Sequence, residues 1–295
     1  MKPPAFQYYQ PHTLDEALQL LSEHGDAKIL AGGQSLIPMM NMRLAHPDVL
    51  IDINGLTELT HIKETDQGLA IGALVRHYQL EQHPLIQRKV PLVAEAEHLI
   101  GHPAIRSRGT IGGSLSHADP AAELPVLATL FDWELVVSSA AAERTIPARE
   151  FFLSYFITAL APDEMVTGVR TPSHAHAGAH ITEYAVRAGD FALAIAAASI
   201  VLNASDTIQS ARIALGGVAD IPWRDPDFEA SLQGQSPSPS LWREVGQHIK
   251  EAIDPTDDLH ASADYRRQLA QTLVEKALAG ALERAKLAEM KGRQA

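Results

Sequence analysis

The chain has 295 residues, 46% hydrophobic and 20% charged, with a formal net charge of −12 and no cysteine. That length accommodates two or three compact domains. The charge disfavours nucleic acid, which needs a basic face, and no Lys/Arg run occurs before the tail cations Lys286, Lys291 and Arg293. Without cysteine the chain holds no disulfide, no thiolate-bound zinc and no cysteine-ligated iron–sulfur cluster of its own.

Thr13 and Glu16 have capping-box spacing, and Leu14, Ala17, Leu18 and Leu21 follow at helical intervals before Gly25. Residues 28–30 form a short strand entry that runs into Ala31-Gly32-Gly33-Gln34-Ser35. A short helix (36–44) and a buried strand (49–53) complete a first α/β unit over 1–55. A second unit, 56–175, holds a strand at 68–74 and helices at 77–82 and 92–100. The segment Arg108-Gly109-Thr110-Ile111-Gly112-Gly113-Ser114 follows. Pro120 then opens an apolar helix reaching 130, with Asp119 as its cap. Strands at 133–138 and 165–170 lead to the polar boundary stretch 171–178. The remainder, 176–295, reads as three strands (181–186, 192–202, 208–215), a Gly/Ser/Pro loop at 234–240 and amphipathic helices at 241–253 and 263–286. The start of the sequence lacks the apolar stretch of a signal peptide. The longest apolar run, 191–202, falls short of the roughly 20 residues that cross a bilayer. A cytoplasmic protein without a membrane span is expected.

The two glycine pairs carry the chemistry. A dinucleotide's pyrophosphate must shed water as it binds, and converging backbone N–H groups replace that water. Glycine permits both the positive φ and the close approach this requires. Each pair is followed by Ser and leads toward a helix. Neither has the G-x-G-x-x-G spacing or the βαβ setting with a ribose-binding acid, which disfavours a Rossmann site. Taken by themselves, the segments remain either two tight turns or a divided phosphate site. Ser116, His117 and Asp119 lack a nucleophile elbow, so a hydrolase is disfavoured. His174, His176 and His180 have no carboxylate at ligand spacing and are read as a solvated loop. Arg106 and Arg108 are open to phosphate, a partner or a surface ion pair.

Five segments in order resemble those of one family. They are Ala31-Gly32-Gly33-Gln34-Ser35-Leu36-Ile37-Pro38, Arg43-Leu44-Ala45-His46-Pro47, Thr110-Ile111-Gly112-Gly113-Ser114, His117-Ala118-Asp119-Pro120-Ala121-Ala122-Glu123-Leu124-Pro125 and Arg187-Ala188-Gly189-Asp190-Phe191-Ala192. The family is the FAD-binding medium subunit of molybdenum hydroxylases, the carbon monoxide dehydrogenase and xanthine dehydrogenase group. The resemblance covers nearly the whole chain. It implies an α+β protein: a vanillyl-alcohol-oxidase-type (PCMH-type) FAD-binding domain of two α/β subdomains, then a C-terminal domain with a three-stranded sheet and helices.

Carried over position by position, the resemblance places Ile29, Leu30, Ala31, Gly32, Gly33, Gln34, Ser35 and Leu36 on one side of an FAD. Thr110, Ile111, Gly112, Gly113 and Ser114 lie on the other. Ile100 would lie against the flavin nucleotide, Glu123 would stand where many members have an Asp toward the adenosine, and Val166 would be near the adenine. Thr182 or Glu183 falls where relatives often carry a Lys. Phe191 would stand beside the isoalloxazine ring, where an apolar side chain governs solvent and acceptor access; its other reading is a core aromatic. The first glycine segment lacks the His of covalently flavinylated relatives, so the FAD is expected to be noncovalent.

The family's division of labour then applies. A large subunit with a molybdenum–pterin cofactor oxidises substrate, a small subunit with [2Fe–2S] clusters relays electrons to this FAD, and the FAD reduces an external acceptor. A dimer of heterotrimers is expected. The absence of cysteine fits clusters held elsewhere and argues against relatives with an extra cluster loop. The alternatives are a self-contained flavin oxidoreductase of the same fold and a cofactor-free scaffold.

Overall fold

Thr13 Oγ1 accepts the Glu16 N–H at 3.2 Å and caps helix Leu14–Glu23, while Glu16 Oε2 accepts the His12 N–H at 2.7 Å instead of completing the expected capping box on Thr13. Its buried Ala17, Leu18 and Leu21 pack on a parallel sheet in the order Gln7–Tyr9, Val49–Asp52, Ala27–Leu30. The outer strand Gln7–Tyr9 has no sequence signature, because three largely exposed polar and aromatic residues show no alternation. The computed structural model describes residues 1–292; Arg293 of the tail cations lies outside the described residues.

An antiparallel sheet follows, in the order Ile62–Glu64, Gly68–Gly72, Met165–Pro172, Glu134–Ser138, Glu143–Pro147. Helices between its second and third members cover it, and their apolar faces make the largest core. The third sheet is antiparallel: Gly178–Tyr184, Ala194–Leu202, Ile208–Gly216. Helices Pro239–Ala252 and Ala263–Gly292 back it, as expected from their amphipathic pattern.

The central strand Ala194–Leu202 shows why its composition is small and apolar. Ala194, Ala196, Ala198, Ile200 and Leu202 enter the core under the C-terminal helices. Ile195 and Ala197 point the other way, into the core of the preceding sheet and helices. A strand buried on both faces needs apolar residues at every position, and alanine lets helices approach closely. The two layers are also clamped. Arg284 Nη2 donates to Glu95 Oε1 at 2.9 Å and Nη1 to the Ala179 carbonyl at 2.7 Å, tying helix Ala263–Gly292 to helix Pro91–Glu97.

Two local expectations are corrected. The helix expected from Pro120 begins at Glu123, with Ala122 as its N-cap. The Pro120 carbonyl accepts the Gly217 N–H at 2.9 Å, so it is not free to start a helix; Asp119 instead closes a turn onto the Ala121 N–H at 2.9 Å. The histidine stretch is not a solvated loop throughout. His174 is buried and stacks flat on Phe131 with ring centroids 3.5 Å apart, and burial lowers its pKa to about 4. His180 sits within strand Gly178–Tyr184, 3.4 Å from Glu95, and only His176 stays exposed.

Candidate functional site

Strand Ala27–Leu30 ends where Ile53 N–H donates to the Leu30 carbonyl, and the chain turns at Gly33 with φ +70°. Beyond that point the backbone bonds are one-sided. The N–H groups of Gly32, Gly33, Gln34 and Ser35 donate to no protein acceptor among the described residues. Their peptide carbonyls are drawn inward: Asn54 Nδ2 donates to the Ala31 oxygen at 2.8 Å and Gln34 Nε2 to the Gly32 oxygen at 3.0 Å. In a trans peptide the N–H points opposite to the carbonyl, so fixing each carbonyl aims the next N–H outward. The result is a concave run of unpaired donors, the arrangement that holds an anion.

The second glycine pair is built differently. It lies inside the first turn of helix Ile111–His117, with Thr110 as N-cap accepting the Gly113 N–H at 3.1 Å. The Ile111 and Gly112 amides donate to the Val75 and Ala73 carbonyls, and the Ser114 amide donates to Thr110. The expectation that both pairs present their amides alike is therefore corrected. The second offers the unpaired amide of buried Thr110 and the Ser114 side chain. Its glycine serves close approach, since a Cβ on Gly112 would lie 2.6 Å from that of Ala73.

The two segments touch. A Cβ on Gly32 would fall 2.5 Å from the Arg108 carbonyl oxygen and 2.7 Å from Gly109 Cα. Residues nearly 80 positions apart thus meet, the segment from Ile29 through Leu36 lying against the one that carries Thr110 and Ser114, whereas Ile111 is wholly buried in the core rather than on the surface.

The other expected residues surround this surface at varying depth. The turn bearing Gly189 (φ +87°) packs so tightly on His102 that a Cβ there would meet the imidazole ring. This brings the segment ending at Phe191 beside the turn of Ile100 and Gly101. Phe191 is 67% exposed, which removes its reading as a core aromatic. Arg106 is engaged by its own turn and by Glu81: Nη1 donates to the Ile100 carbonyl at 3.1 Å and Nε lies 3.3 Å from Glu81 Oε2. Val166 is buried in the main core beside a strand irregularity. The next carbonyl, of Thr167, accepts the Ala73 N–H, and Ala73 in turn accepts from Gly112.

Carboxyl groups gather behind the site. Burial, then the charge of Glu183, pushes the Glu123 carboxyl up to about 8. Burial raises Glu183 to about 7. Glu97 is wholly buried and raised by burial, with His77 Nδ1 2.9 Å from its Oε2. Thr182 and Glu183 lie half-buried on strand Gly178–Tyr184, opposite Ala196 and Ile195. Sequence reading missed Asn54, Arg76, His77 and Glu97. No local motif marks them, because each acquires its role from a partner brought close only by folding.

Strand–glycine–helix segments meeting beside an antiparallel sheet define a candidate phosphate-binding protein of the α+β class. Comparison with known proteins gives the family. Residues 4–174 match the FAD binding domain in molybdopterin dehydrogenase, and residues 179–281 match the CO dehydrogenase flavoprotein C-terminal domain. The chain is 40% identical to the 6-hydroxypseudooxynicotine dehydrogenase complex subunit alpha of Paenarthrobacter nicotinovorans, covering 97% of each. It is 36% identical to the glyceraldehyde dehydrogenase medium chain of Sulfolobus acidocaldarius, covering 94% of this chain and 98% of that one. A solved chain of carbon monoxide dehydrogenase from Hydrogenophaga pseudoflava superposes with a TM-score of 0.93 at 37% identity, over 96% of this chain and 99% of that one. The chain belongs to the FAD-binding medium-subunit family of molybdenum hydroxylases, and is a flavoprotein subunit that transfers electrons in an oxidoreductase complex.

Proposed function

We propose that the free amides of Gly32, Gly33, Gln34 and Ser35, with Thr110 and Ser114 across the contact, hold the pyrophosphate of a noncovalent FAD. The unpaired donors carry this reading, because successive free amides at a strand-to-helix turn form a site suited to an anion, the Gly32 amide being the buried one. Gly112 lets the second segment lie close against Ala73, and Ile29, Leu30, Ala31 and Leu36 supply the apolar flank, while Ile111 anchors the second segment from within the core. Ile100 and exposed Phe191 border the flavin ring, Val166 lies toward the adenine, and Glu123 lies toward the adenosine. When bound, the flavin takes up a pair of electrons and releases them one or two at a time. The chain's part is to bind it, orient it and exclude water.

The electrons come from [2Fe–2S] clusters of a small subunit, fed by a molybdenum–pterin large subunit, and leave to an external acceptor past Phe191. Zero cysteines place every cluster outside this chain. The assembly is a dimer of heterotrimers in the cytoplasm; among the described residues no helix is long and apolar enough to cross a membrane. The functional units divide at 1–55, 56–175 and 176–295, each containing one of the three main sheets. The alternative is a self-contained flavin oxidoreductase. Co-purification decides between the two: the complex should contain FAD, iron and molybdenum in one species. A lone active chain without iron or molybdenum would establish the alternative, and a colourless protein that takes up no FAD would sink both.

A further inference from the structure

The carbonyls of Ala31 and Arg108, one in each glycine segment, are joined by an unbroken chain of side-chain hydrogen bonds. The Arg76 guanidinium donates through Nη1 to the Arg108 oxygen and through Nη2 to Asn54 Oδ1 at 2.6 Å. Asn54 Nδ2 donates onward to the Ala31 oxygen at 2.8 Å. Asn54 is itself anchored, since Asp52 Oδ1 accepts from its backbone N–H at 2.9 Å and from Nδ2 at 2.6 Å. Tyr8 holds the other oxygen of Asp52 at 2.5 Å. The Arg108 carbonyl is also the atom against which Gly32 packs, so the chain ends at the contact between the segments.

Arg76 is placed for more than bracing. It is half-buried and, among the described residues, forms no ion pair; its charge is opposed by Arg108 and supported from Asp52. A neutral donor would brace two carbonyls at lower desolvation cost. A planar cation with several donors braces both ends and adds a positive field behind the outward-facing amides. In a protein of net charge −12, that local field favours an anion where the overall charge does not.

We propose that Arg76 is the positioning residue of the cofactor site: acting through Asn54, it fixes the separation of the two glycine segments and turns the Gly32 N–H toward the pyrophosphate. The proposal rests on the assignment of those segments as the FAD cradle. The carbonyl of Ala31 and the amide of Gly32 are one peptide, so loss of Asn54 or Arg76 frees that peptide to rotate. Arg76 touches no part of the ligand in this scheme and acts only through backbone groups.

The test uses the full chain in its complex, stripped of flavin and titrated with FAD, with ADP as a pyrophosphate probe and riboflavin as a phosphate-free control. Arg76→Ala and Asn54→Ala should each weaken FAD and ADP binding about 10- to 100-fold, the usual range for a charge-assisted hydrogen bond. Riboflavin binding should not change. The double variant should lose little more than either single one, since both break the same chain. Arg76→Lys is the second variant should Arg76→Ala fail to fold; its ammonium cannot span both acceptors and should still cost at least about tenfold. Unchanged FAD affinity overturns the proposal. So do additive losses that follow a fall in the melting temperature of the flavin-free protein. Gly113→Asp separates the two levels: if it keeps its FAD, the cradle assignment itself fails. If it loses FAD while Arg76→Ala does not, only the role of Arg76 fails.

Discussion

Gly32 and the Arg108 carbonyl meet so closely that a single added methyl would lie 2.5 Å from the oxygen. The contact joins two stretches that the chain separates by the latter part of the first α/β unit and part of the second. It converts two ordinary glycine turns into one surface. Every property of the candidate site depends on its staying closed.

The first prediction follows directly. Gly32→Ala forces a carbon against backbone atoms that have no flexible end to yield, so the segments must part. FAD retention should fall by about tenfold or more, as for a lost charge-assisted hydrogen bond. Gly113→Asp acts by another route. Its Cβ meets only the Thr110 hydroxyl, at 2.8 Å, and an acid in the first turn of a helix suits the fold. Its charge, however, faces the proposed pyrophosphate, where like charges cost several kcal/mol, or about 100-fold in affinity. Flavin released on gel filtration, set against an unchanged melting curve, checks the second variant.

Phe191→Ala should leave stability within about 0.5 kcal/mol, because an exposed side chain away from packed features contributes little. Its effect should appear on the flavin: a shifted visible band and faster oxidation by dissolved oxygen. Identical spectra and identical oxidation rates in the two proteins would remove Phe191 from the ring environment.

Glu123 gives a pH signature. Its carboxyl rises from 4.5 to about 8 through burial and the charge of Glu183. A carboxyl with a raised folded pKa binds its proton more tightly folded than unfolded. Its contribution is therefore full below 4.5 and is lost as the pH climbs through about 8. Flavin-free protein should become less stable between pH 5 and pH 9, and Glu123→Gln should flatten that slope by about 2–3 kcal/mol after discounting for partial exposure. Parallel slopes in the two proteins would contradict the assignment.

The clamp between Arg284 and Glu95 behaves oppositely. The Glu95 pKa is lowered to about 2; burial opposes the shift, but hydrogen bonds and charge from His180 and Arg284 outweigh it. Its stabilisation is present above 4.5 and is lost as the pH falls toward 2. Arg284→Ala should cost about 1 kcal/mol at pH 7, Arg284 being 42% and Glu95 33% exposed and the pair screened by solvent. That cost should shrink as the pH falls toward 2, leaving the part due to the bond to the Ala179 carbonyl. Urea titrations at the two pH values measure the difference.

The sequence by itself determined the local structure and the family. Thr13 and the amphipathic C-terminal helices specify elements whose causes lie within a few residues. The five ordered segments specify an FAD-binding medium subunit of molybdenum hydroxylases. Tertiary structure alone decided what depends on distant groups. It moved the helix start from Pro120 to Glu123, because Gly217 occupies the Pro120 carbonyl. It buried His174 against Phe131. Most consequentially, it made the two glycine pairs unequal, leaving the first with unpaired amides while the Ala73 carbonyl and Thr110 Oγ1 take those of the second. A hydrogen bond's partner is set by proximity in space, which glycine spacing along the chain does not record.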